Sequence, residues 1–121
     1  MLTLGVALAA GLGAVLRYAV DLAVQQRVRG DFPVGTLVVN ITGSFVLGLV
    51  TGLALHHGLA ATPTVIIGAG FAGGYTTLST WAWETLALAE RREVLAASVN
   101  IVGSFAAGLA AAAAGLGLAL L

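Results

Sequence analysis

The chain has 121 residues, of which 60% are hydrophobic and 8% charged; its mean hydropathy is +1.06 and its formal net charge is zero. A soluble domain carries about 25% charged residues, so this chain has too little ionisable surface to remain in water and is excluded from the soluble globular class. Five Arg balanced by five acids argue against nucleic acid, which requires a basic patch, and the absence of Cys removes disulfides, thiol chemistry and soft metal sites.

The few charges cluster, and the clusters divide the chain into four apolar spans within one membrane domain, residues 1–121. Span 1 covers residues 2–19. It lacks the basic leader of a signal peptide and more apolar runs follow it, so it reads as a retained membrane helix. A polar connection holding Arg27, Arg29 and Asp31 leads through Pro33 into span 2, residues 34–55. His56, His57 and Gly58 make a short turn. Pro63 suits the first turn of span 3, residues 63–84, because its missing N–H has no helical partner there. Arg91, Arg92 and Glu93 form the last connection, and span 4 covers residues 94–120 without a charge. Roughly 20 apolar residues cross a bilayer as a helix, so each segment crosses once and both termini lie on one side.

Span 3 is unusual. Residues 68–74 contain four Gly, and residues 76–80 then contain the hydroxyls of Thr76, Thr77, Ser79 and Thr80. Each interior Gly weakens a helix by about 1 kcal/mol relative to Ala. Close packing through small residues is one account. The other, which we favour, is a helix broken near the bilayer midplane, where unpaired backbone is tolerated only against protein or a cavity.

Spans 2 and 4 repeat one another. Residues 39–49 recur as residues 99–109, with eight of eleven positions identical at an offset of sixty. Chance similarity between Ala- and Gly-rich helices competes with a parallel repeat of a two-helix unit, but shared Asn, Ser and Phe are harder to obtain from composition. In span 2, Asn40, Ser44, Gly48 and Gly52 stand at i, i+4 spacing, as do Asn100, Ser104, Gly108 and Ala112 in span 4. Such a stripe stays on one helix face. Helix packing explains its glycines; the amides are less easily explained, since each has donors and an acceptor to satisfy.

No nucleophile lies beside a base, and no carboxylate pair or His/Cys/Glu cluster lies at membrane depth, which argues against an enzyme. What the interior offers is uncharged donors, the two Asn amides and several hydroxyls. Such donors replace part of an anion's hydration shell without trapping it, as conduction requires. Aromatic ring edges add weak electropositive contacts. Arg17 reads as a snorkelling side chain, or as a partner for Asp21 four residues on, and Glu84 as an interfacial cap or packing contact.

Three segments in order, Gly11-Leu12-Gly13-Ala14-Val15-Leu16-Arg17-Tyr18, residues 33–45 and residues 73–81, resemble the small bacterial fluoride channels of the CrcB (Fluc) family over nearly the whole chain. The resemblance implies an all-α integral membrane protein of four transmembrane helices, the third broken, paired as a dual-topology (antiparallel) dimer in the bacterial cytoplasmic membrane. It implies passive, fluoride-specific export along a pathway that, with Ser44 of the stripe, comprises Asn40, Thr77, Leu78, Trp81, Asn100 and Ser104. It also implies a structural sodium ion (Na+) at the dimer centre, held by the backbone carbonyls of Gly73 and Thr76, and structural or vestibule roles for Arg17 and Glu84. Leu78 and Trp81 stand where the family usually has phenylalanines, and Asn100 where a tyrosine is common.

Arg27, Arg29, Arg91 and Arg92 all fall on one side, and the opposite side has no Lys or Arg. By the positive-inside rule the termini then prefer the outside. A chain of this kind either inserts both ways regardless or pairs with an oppositely oriented homologue. Two rival functions remain at this level, a small multidrug-type cation transporter, which would want an acid deep in the membrane, and a non-conducting accessory subunit.

Overall fold

The computed structural model describes all residues, Met1–Leu121, and contains helices and short turns alone. Helix α1 spans Leu2–Gln25 and α2 spans Val34–His56. The third hydrophobic stretch is assembled from α3 (Ala61–Val65), a π-helical segment (Ile66–Ala72), α4 (Gly73–Tyr75) and α5 (Leu78–Glu90). Helix α6 spans Val94–Leu118. Helices α1, α2 and α6 are each long and apolar enough to cross a membrane. The discontinuity expected in span 3 is present, but it falls at Thr76 and Thr77, whose ψ angles of 158° and 122° are extended. The glycines that signalled it lie just before it, in helical backbone.

Those glycines work by contact. A Cβ on Gly74 would collide with the carbonyl of Ala10, and one on Gly13 with the carbonyl of Phe71, so α1 and the third stretch meet backbone to backbone. The pairings Gly5–Ile66, Ala9–Gly70 and Ala10–Gly74 rise together in sequence, so these two elements run parallel. Helices α2 and α6 make the second close pair. Gly108 faces Ser44, Gly48 lies against the Ala112 carbonyl and Gly52 against Ala119, pairings that again rise together, and Gly115 lies against the Phe45 carbonyl. This is the packing that the stripe of small residues prescribes, since small side chains let membrane helices approach closely. Both pairs are parallel, as alternating crossings of four consecutive spans require.

The ends are closed by short turns. Arg92 takes a left-handed conformation (φ 62°), and the N–H groups of Arg92 and Glu93 bond the Ala89 and Leu88 carbonyls at 3.0 Å each, a Schellman ending of α5. Arg91 donates to Asp31 at 3.1 Å, which brings both arginine-bearing connections to one end of the bundle. At the other end the His57 ring meets the Ala119 carbonyl at 2.6 Å. Only 19 of 121 residues are buried, and leucines, valines and aromatics cover the outside, as a chain solvated by lipid requires.

The packing makes Gly115 and Gly117 opposites. Gly115→Val should cost about 2 kcal/mol through overpacking against Phe45. Gly117 has open space around it, and Gly117→Ala should leave stability unchanged or slightly higher. Thermal unfolding of the two variants in detergent, followed by tryptophan fluorescence, checks both.

Candidate functional site

Breaking a helix exposes backbone groups that must find partners, and here one side chain supplies two of them. The Asn40 amide donates to the Thr77 carbonyl at 2.9 Å and accepts from the Thr77 N–H at 2.8 Å, as an adjacent strand would. Gly43, one turn along α2, gives the break its room, because a Cβ there would collide with Thr76. Thr77 also caps α5, its Oγ1 accepting from the Thr80 N–H at 3.2 Å while donating to the Thr80 hydroxyl at 3.0 Å. The Thr76 N–H and hydroxyl both bond the Ala72 carbonyl, at 2.9 Å each. The Thr76 carbonyl accepts no hydrogen bond within the chain, the carbonyls of Gly73, Gly74 and Tyr75 end α4, and the N–H groups of Leu78 and Ser79 open α5, where backbone groups have no partner in their own helix.

An open cavity of about 490 Å³ lies beside the break, walled by α2, the third stretch and α6. Asn40, Ser44, Thr77, Leu78, Trp81 and Ser104 all line it, as do Gly73 and Thr76, and none of its lining residues is charged. Its mouth opens on the outside of the chain, where Leu78 is 75% and Phe105 76% exposed. Asn100 is the exception. It is 1% exposed and lies behind the cavity, donating to the Thr85 hydroxyl at 2.9 Å and accepting from the Ser104 hydroxyl at 3.2 Å.

Hydrogen-bond accounting separates the donors at the wall. The indole N–H of Trp81 is spent on the Asn100 carbonyl at 3.2 Å, which leaves only ring carbons for the cavity. The hydroxyls of Thr77 and Ser104 are engaged as described. Ser44 has no hydrogen-bond partner, and Asn40 uses only one of its two N–H groups. Ser44, the second Asn40 N–H and the backbone N–H of Leu78 are therefore the uncommitted donors. Unpaired N–H groups at the first turn of a helix favour an anion.

Arg17 lines a separate cavity of about 200 Å³ with Tyr18, Asp21, Thr36, Val39, Thr77 and Thr80, so Thr77 is shared by both spaces. Arg17 and Asp21 are not an ion pair; the chain's one salt bridge is Arg91–Asp31. Glu84 accepts from the Thr36 hydroxyl at 2.8 Å, tying α5 to the start of α2, while its Oε2 is buried without a partner. Thr36 escaped the sequence reading, although the i, i+4 stripe continued back from Asn40 reaches it. Gln25 escaped it too. Its amide bridges the Phe32 carbonyl and the Gly35 N–H at 3.1 Å each, clamping the first connection. No periodicity signals such a contact, because its partners lie in a turn.

A family model described as "CrcB-like protein, Camphor Resistance (CrcB)" matches residues 4–116. Fluoride-specific ion channel FluC 1 of Leifsonia xyli subsp. xyli is 51% identical over 118 residues, which cover 98% of this chain and 85% of the relative. Fluoride-specific ion channel FluC 2 of Mycobacterium tuberculosis (strain H37Rv) is 50% identical over 109 residues, covering 90% of this chain and 83% of the relative. Fluoride-specific ion channel FluC of Methylobacterium nodulans is 43% identical over 115 residues, covering 94% and 92%.

The clamp sets an expectation for stability. Asn40→Ala leaves both backbone groups of Thr77 unpaired and should cost about 2 kcal/mol or more. Ser44→Ala should stay within about 0.5 kcal/mol of the parent. Amide hydrogen exchange in detergent should rise at Thr77 in the first variant and not in the second.

Proposed function

This chain belongs to the CrcB family, and from that premise we propose that it is a fluoride-specific channel carrying fluoride passively out across the bacterial cytoplasmic membrane. The observation that carries the reading is the break at Thr76 and Thr77, which opens unpaired backbone N–H groups and uncharged side-chain donors onto one cavity in an otherwise apolar chain. An ion crosses a membrane protein when its site replaces hydration well enough to admit it and weakly enough to release it. Neutral donors meet both conditions for an anion, whereas a fixed cation would hold it. The protein is not an enzyme. A cation exporter would need an acid in the cavity, and the lining residues include none.

In this proposal fluoride passes Asn40, Ser44, Thr77 and Ser104, with Leu78 and the ring carbons of Trp81 forming the apolar side of the route. Arg17 draws anions toward the Thr77 end, and Glu84 braces α5 against α2. The open mouth of the cavity and the exposed Leu78 and Phe105 support closure by a second subunit. That subunit is inserted in the opposite orientation, so that the two breaks face one another.

The carbonyls of Gly73, in the last turn before the break, and of Thr76, within it, suit a hard cation such as Na+, which takes oxygen ligands. They would hold it between the two subunits, where it would neutralise converging carbonyl dipoles. The four arginines gathered at one end bias insertion toward a single orientation. That bias favours a homologous partner of opposite bias over a second copy of this chain.

Fluoride efflux from liposomes containing the purified protein, with chloride as the control, tests the reading. Together with an inverted subunit, the parent should release fluoride and retain chloride. Asn40→Asp places a negative charge in the route and sets a carboxylate oxygen against the Thr77 carbonyl, so its flux should fall to that of protein-free liposomes while cross-linked dimers persist. Cysteine tags on the termini should report one orientation when the chain is expressed alone; fluoride flux that appears only with an inverted homologue identifies the partner. Absence of flux with and without such a partner would leave an accessory role.

A further inference from the structure

We infer that Asn100 is a positioning residue that sets how tightly the pathway holds fluoride, by keeping the single hydroxyl hydrogen of Ser104 on its own side-chain oxygen. The inference deepens the channel reading and rests on it. It moves Asn100 from contact with the ion to control of a residue that makes the contact.

The orientation of the Asn100 amide follows from its neighbours. The Thr85 hydroxyl donates to the Trp81 carbonyl at 2.8 Å, so its oxygen is left to accept, and Asn100 must present Nδ2 to it at 2.9 Å. That leaves Oδ1 for Ser104, at 3.2 Å. On the backbone side the Asn100 carbonyl accepts the Trp81 indole N–H at 3.2 Å. Bonds on three sides and an exposure of 1% hold the amide still. Ser104 and Trp81 both line the cavity, so a buried residue governs two groups on its wall.

A hydroxyl has one hydrogen to give. To engage an anion in the cavity, Ser104 must turn that hydrogen away from Asn100. The bond it breaks subtracts from the binding of the anion. At 3.2 Å this O–H···O contact is beyond the usual 2.5–3.0 Å range, so the hydrogen is held loosely enough to exchange. One turn back in its own helix, the Asn100 carbonyl already accepts the Trp81 indole N–H, and the Ser104 hydroxyl bonds neither it nor the Ile101 carbonyl. The outcome is a donor present in the wall but weakened in advance, which favours release over retention.

The test is a cycle of Asn100→Leu and Ser104→Ala, read as fluoride conductance against fluoride concentration in planar bilayers containing the reconstituted protein. With Ser104 present, Asn100→Leu should lower the half-saturating fluoride concentration about threefold or more, with a lower maximal conductance, since one net hydrogen bond is at stake. In the Ser104→Ala background, the same change should leave the half-saturating concentration where it was. Thr85→Val releases the amide from its anchor without removing it. It should shift the curve in the same direction by less, and it decides the matter if the leucine variant does not fold. An unchanged or raised half-saturating concentration, or an equal shift in both backgrounds, overturns the inference and leaves Asn100 a helix-packing residue. A parent protein that conducts no fluoride, alone or with an inverted homologue, overturns the channel reading itself.

Discussion

A membrane interior offers backbone groups no water, and the rest of this structure depends on how one interruption of a helix is made tolerable there. Unpaired N–H and C=O groups in hydrocarbon cost several kcal/mol each. The amide of Asn40 meets both groups of Thr77 at 2.8 and 2.9 Å, and the Thr77 hydroxyl caps the helix that follows. A break so braced leaves carbonyls at the end of α4 and N–H groups at the start of α5, positions without partners in their own helices. Polarity of both signs is thereby set at one depth, beside a cavity, with no charged residue spent on it.

The brace works only because the helices come close enough to make it. Gly43 admits the break to α2, Gly13 and Gly74 join α1 to the third stretch, and Gly48 and Gly115 join α2 to α6. Packing through small residues stands in for the hydrophobic driving force that lipid removes. It also concentrates contact within two parallel pairs and leaves the outer faces apolar. The cavity mouth with Leu78 and Phe105 lies on such a face, the observation from which a second subunit is proposed.

Carboxamides tie together three junctions of the chain. Gln25 clamps the first connection, Asn40 the break, and Asn100 the junction of α5 with α6. A neutral amide donates and accepts at once, so it repairs backbone without introducing a charge. The division between committed and uncommitted donors follows. Ser44 and the spare N–H of Asn40 face the cavity free, whereas Ser104 and Trp81 reach it with their hydrogens engaged. Asn40 and Asn100, alike in sequence context, thus end in different roles.

Much of this was legible in the residues. Composition alone placed the chain in lipid, the charge clusters separated the spans, and the Gly and hydroxyl runs announced the discontinuity in the third. The i, i+4 stripes named the faces on which α2 and α6 meet, because helical periodicity is a local property that sequence spacing carries directly. What needed the tertiary structure was every choice that depends on a partner from another helix. The break sits at Thr76 and Thr77 rather than at the glycines, because the hydroxyl of Thr77 and the amide of Asn40 can pair its backbone there. Asn100 lies behind the wall because Thr85, four residues after Trp81, reaches it first. Arg17 and Asp21 share a cavity without forming an ion pair, though their spacing allowed one. Residue types and spacing determined which groups would be polar and on which face; only the packing of the helices decided which of those groups were spent on one another and which were left for an ion.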